Sequence, residues 1–133
     1  MQEEIQMKRE LITAIVTGGA SGIGESVVRE IITHGGRVGI IDLNIEKGNS
    51  LAKELGANCI FEPANVTDES GFSNAYRLLK NKLPSITACV TCAGVLPVRD
   101  PISEHSFADF RHIMDNHLAG TFLSCIIVGS DMA

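Results

Sequence analysis

Residues 17–24 read TGGASGIG, and they stand where an apolar run ends and a helical pattern begins. Just before them, LITAIVT (Leu11–Thr17) is short, β-branched and uncharged, as a strand buried on both faces requires. Just after them, Ile23, Val27, Val28, Ile31 and Ile32 recur at helical spacing, and Gly35-Gly36 ends the run. In that setting Gly18 lets the chain turn tightly off the strand. Gly22 and Gly24 remove side chains where a pyrophosphate and the strand approach the helix, whose N-terminus offers unpaired N–H groups and a positive dipole end. The second apolar run, RVGIID (Arg37–Asp42), closes on an acid 18 positions after Gly24. That is near the distance at which a carboxylate bonds the adenosine ribose hydroxyls. Glycines alone would make only a turn; the strand before, the helix after and the acid downstream together predict a dinucleotide site. The Asp42 charge would repel a 2′-phosphate, so the expected cofactor is NAD over NADP. As a turn residue before Asn44, Asp42 has a second reading.

The same alternation continues outward. Ile45 to Leu55 is an amphipathic helix ending at Gly56, and CIFEPA (Cys59–Ala64) is a short third strand. Thr67 is placed to cap a helix whose apolar face is Phe72, Ala75, Tyr76, Leu79 and Leu83. TACVTC (Thr87–Cys92) is a fourth strand, and a long helix is predicted from about Phe107. Strands alternating with helices predict an α/β domain, a doubly wound parallel sheet covered on both faces.

Composition excludes several alternatives. The net charge of -5 is not clustered, and no basic run or basic-aromatic stripe is present, so nucleic acid is not an expected partner. The longest apolar run, Leu118 to Val128, is far short of the roughly 20 residues a membrane span needs. The N-terminus, MQEEIQMKRE, carries both signs of charge and no apolar core, unlike a secretory signal. A cytoplasmic location is expected. Cys89 and Cys92 form a lone CVTC; no second pair and no nearby histidines complete a zinc site, so no metal is expected.

TGGASGIG, IIDL, NCIFEPANVT, CAGV and DF…MDNHLAGTF together resemble the short-chain dehydrogenase/reductases, most of all the type-2 3-hydroxyacyl-CoA dehydrogenase group. The resemblance runs from Leu11 onward. It implies a Rossmann-type sheet, hydride transfer between NAD and a secondary alcohol or ketone, an acyl-CoA among the substrate classes, a homo-oligomer in the full-length form, and a mitochondrial location as the alternative. It places Ser21 and Ile23 on the pyrophosphate, Asp42 and Leu43 on the adenosine ribose, Asn65 and Val66 beside the adenine, and Cys92, Ala93 and Gly94 along the cofactor. The chain departs from the family in three places. Asn65 stands where the family has aspartate, and Thr91 opens its N-[N/C]-A-G. His117 stands where an asparagine precedes a glycine by three residues and helps to hold a water in the proton relay.

YRLLK (Tyr76–Lys80) has the spacing of the family's Tyr-x-x-x-Lys acid pair. It precedes the fourth strand, whereas the family's pair follows the fifth. Tyr76 is therefore expected to pack on the sheet and Lys80 to face solvent, with the catalytic serine, tyrosine and lysine absent from these residues. The resulting organisation is an N-terminal extension (1–10) and an NAD-binding Rossmann domain (11–133), C-terminally incomplete at about four strands. Two functions follow: a fragment or truncated form of an NAD-dependent oxidoreductase, or a non-catalytic protein that binds the cofactor or a partner subunit.

Overall fold

The computed structural model describes residues 11–96 and 99–133; the expected N-terminal extension lies outside them. Four parallel strands, β1 (Thr13–Thr17), β2 (Arg37–Asp42), β3 (Cys59–Pro63) and β4 (Ala88–Thr91), lie in the order β3-β2-β1-β4. Three helices connect them: α1 (Gly22–Thr33), α2 (Ile45–Leu55) and α3 (Glu69–Lys82). The bounds of β2 and α2 are those the pattern predicts. β1 starts two residues later than expected, because Leu11 and Ile12 stand exposed at its entrance.

Side chains alternate across a strand, so the parity of β1 divides the core in two. Ala14 and Val16 meet Val28 of α1, Val38 and Ile40 of β2, and Leu51 of α2. Ile15 points the other way, onto Ile41, Phe72, Tyr76 and Leu79, with Val128 from the last helical segment. A strand with both faces covered needs the continuous apolar run seen in TAIVT.

Two expectations are corrected. Asp68, not Thr67, occupies the cap position of α3, and its side chain makes no capping bond. Thr67 is instead taken up by Asn65, whose Oδ1 accepts from the Thr67 backbone N–H at 2.9 Å and from its hydroxyl at 2.8 Å. The long C-terminal helix starts at Phe107, behind a capping box in which Ser106 and Asp109 bond each other reciprocally. It is not one regular helix. After α4 (Phe107–Met114) a wide π-turn spans Asp115–Ala119, where the Gly120 N–H donates to Asp115 O, and α5 (Gly120–Ile127) and α6 (Gly129–Met132) follow. No helix among the described residues is long and apolar enough to cross a membrane.

Candidate functional site

Parallel strands put all their C-terminal ends on one side, and here β1 lies between β2 and β4: the chain runs outward from β1 to β2 and β3, then crosses back to place β4 on the other flank of β1. A crevice opens at such a reversal of strand order. It is a cavity of about 320 Å³, lined by the 18–24 loop, the end of β2 and the segment after β4.

The loop is built by close backbone approach. Gly18 has φ 65°, and a Cβ there would lie 2.6 Å from Ala93 N. A Cβ on Gly24 would overlap the Gly18 carbonyl, so α1 can seat against the strand only through a glycine. Nothing lies within 4 Å of a Cβ position on Gly22, which faces open space in the cavity wall. Ser21 is the N-cap of α1 but its side chain makes no capping bond, so it does not occupy the first N–H groups of the helix. Ile23, read from its spacing as part of the apolar helix face, is 79% exposed at the cavity instead.

Asp42 does two things at once. Its Oδ2 accepts from the Ala20 N–H at 3.0 Å, and its Oδ1 from the Asn44 N–H at 2.9 Å. The second bond is the turn role anticipated for it. The first ties the end of β2 to the glycine loop. A carboxylate has about four acceptor sites, so both oxygens retain capacity toward the cavity.

Gly18, Ser21, Gly22, Ile23, Gly24, Asp42, Leu43, Val66, Cys92, Ala93 and Gly94 all line this cavity. Asn65 does not: its carbonyl oxygen is engaged by Thr67 and is no free acceptor for an adenine edge. His117 does not line it either, whereas its neighbour Asn116 does. Both residues lie in the π-turn. Ile41, Ala64 and Val95 complete the wall without any signal in the sequence that marked them. Burial raises the Cys92 thiol pKa, which keeps the sulfur protonated at neutrality and suits a wall residue better than a nucleophile. Among the described residues, no group of three or more His, Cys, Asp or Glu side chains could hold a metal ion.

The short chain dehydrogenase family model matches residues 12–133. The chain belongs to that family. It is 37% identical over 116 residues to rat 3-hydroxyacyl-CoA dehydrogenase type-2, covering 84% of this chain and 44% of the relative. It is 35% identical over 125 residues to zerumbone synthase of Zingiber zerumbet, covering 88% and 45%. A 3-ketoacyl-ACP reductase from Sinorhizobium meliloti 1021 superposes with a TM-score of 0.85 at 28% identity, over 90% of this chain and 48% of that one. This short chain dehydrogenase chain thus spans less than half the length of these relatives.

Its single tyrosine packs on the sheet, as expected. Tyr76 is 4% exposed, and its hydroxyl has no well-formed hydrogen bond among the described residues. Burial raises its pKa, and the nearby Asp131 carboxylate adds to the effect. A catalytic phenol needs the opposite shift. Lys80 is exposed, as expected, and pairs at the surface with Asp131 at 2.6 Å. Tyr76→Phe should leave stability unchanged or raise it by up to about 1 kcal/mol, since it removes a buried hydroxyl that makes no well-formed hydrogen bond. Urea unfolding reads this directly; a loss above that amount would mean the hydroxyl makes a bond that matters.

Proposed function

We propose that this chain forms the NAD-binding part of an oxidoreductase that moves hydride between NAD and a secondary alcohol or ketone, an acyl-CoA being one substrate class. The observation that carries the reading is the Asp42 carboxylate, fixed by Ala20 and Asn44 at the rim of the glycine-loop cavity. The fit is supported by the space beside Gly22 and by the uncapped start of α1. Gly18, Ser21, Gly22, Ile23 and Gly24 would hold the pyrophosphate, Asp42 and Leu43 the adenosine ribose, and Val66 the adenine. Cys92, Ala93 and Gly94 would line the rest of the cofactor. When bound, the nicotinamide supplies the hydride donor and acceptor. These residues bind and orient it. A second reading, in which the chain binds the cofactor without turnover, rests on the same cavity. The apolar stripe on α4 and α5 supports association with another copy.

NADH should bind more tightly than NADPH. A 2′-phosphate a few ångströms from Asp42 costs about 1–3 kcal/mol at an effective dielectric near 20, or roughly 5- to 150-fold in affinity. Asp42→Asn keeps an acceptor for Ala20 but removes the charge, and should erase most of that preference. Fluorescence titrations with both dinucleotides decide it; equal wild-type affinities, or none, would overturn the reading.

A further inference from the structure

The segment from Cys92 to Val95 forms one wall of the cavity. Its first half hangs from β1: the Cys92 N–H donates to Thr17 O at 3.0 Å and the Ala93 N–H to Thr17 Oγ1 at 3.4 Å. Its second half is held from the π-turn. His117 Nε2 lies 2.8 Å from Val95 O and 3.1 Å from Val95 N. The ring also fills the space beside Gly94, where a Cβ would overlap it and lie 3.0 Å from Nδ1. Gly94 is not among the glycines with positive φ, so its backbone would accept a side chain. The imidazole is what forbids one.

We propose that His117 is a positioning residue that straps Gly94 and Val95 into the cavity wall through one ring nitrogen. That nitrogen is bare or protonated, so it accepts from the Val95 N–H or donates to the Val95 carbonyl, never both at once. A side-chain amide, by contrast, carries a donor and an acceptor and can serve both groups together. The strap is therefore functional but half-satisfied, and it takes a glycine at position 94 to admit the ring. Its consequence for ligand affinity rests on the nucleotide reading above.

The test compares His117→Ala, His117→Phe and His117→Gln by amide exchange across Cys92–Val95, followed by NMR without any ligand. Loss of one hydrogen bond should speed exchange several-fold to about tenfold in the Ala and Phe variants. Gln should restore the slow rates. Phe retaining them would show that packing alone holds the wall, and would overturn the strap, as would unchanged exchange in Ala. Gly94→Ala should lower the melting temperature in the wild type and do so much less in His117→Ala. Equal losses in the two backgrounds would overturn the steric half of the proposal. NADH affinity should fall several-fold in Ala and Phe. A wild type that binds no NADH, but whose exchange responds as expected, would overturn the nucleotide reading and support the strap.

Discussion

The 133-residue chain, purified alone, should leave a sizing column as a dimer or larger species, and should melt at low temperature or without cooperativity. Two features drive this. Among the described residues β4 pairs only with β1, so its other edge offers a row of N–H and C=O groups to any strand that reaches it. In addition, α4, the π-turn and α5 expose Phe107 at 72%, Phe122 at 62% and Leu118 at 61%, with Phe110, Met114 and Ile126 also open. Covering one such side chain contributes about 1.5–3 kcal/mol, against a total stability of only about 5–15 kcal/mol. Several covered together outweigh the entropy of association. A monodisperse monomer melting cooperatively above about 60 °C, at the upper end for mesophile domains, would refute this.

The second large effect is at Gly18. Replacing it with alanine should cost about 2–5 kcal/mol, from a left-handed backbone that L residues resist and from overpacking. The added methyl would meet the Ala93 and Cys92 backbone at 2.6–2.7 Å, and neither β1 nor β4 can retreat without breaking the ladder between them. Gly22→Ala is the matched control. It has a similar φ of 56° but no atom within 4 Å, so only the conformational part, about 1–2 kcal/mol, should be lost. Denaturant midpoints for the two variants separate strain from collision. Equal losses would mean that the approach of β4 to the loop carries no weight.

Much of this architecture was legible in the residues. Strand and helix periods are local, and TAIVT, RVGIID and the Ile45–Leu55 stripe carry them without ambiguity. The glycine loop and Asp42 were legible for a related reason: their spacing is set by the length of one strand–helix–strand unit. What escaped was set by partners far along the chain or by unequal turns. Asn65 spends its carbonyl oxygen on Thr67, a local bond that the residue pattern did not announce. Asn116, which lines the cavity, sits in a π-turn that no composition rule announces. Lys80 does face solvent, but its pairing there with Asp131, 51 positions away, left no local mark.

Asp42 carries a consequence for anyone who wishes to redesign this cavity. The carboxylate that would sort cofactors by charge is also the peg on which the Ala20 amide hangs. On the cofactor reading proposed above, selectivity and scaffold would be encoded in one side chain. A bare swap to a small neutral residue, the usual first move toward accepting a phosphorylated ribose, would leave the Ala20 N–H without its acceptor and slacken the loop it was meant to adapt. Redesign here should proceed in pairs: a new acceptor for Ala20 first, and only then a cation at the rim.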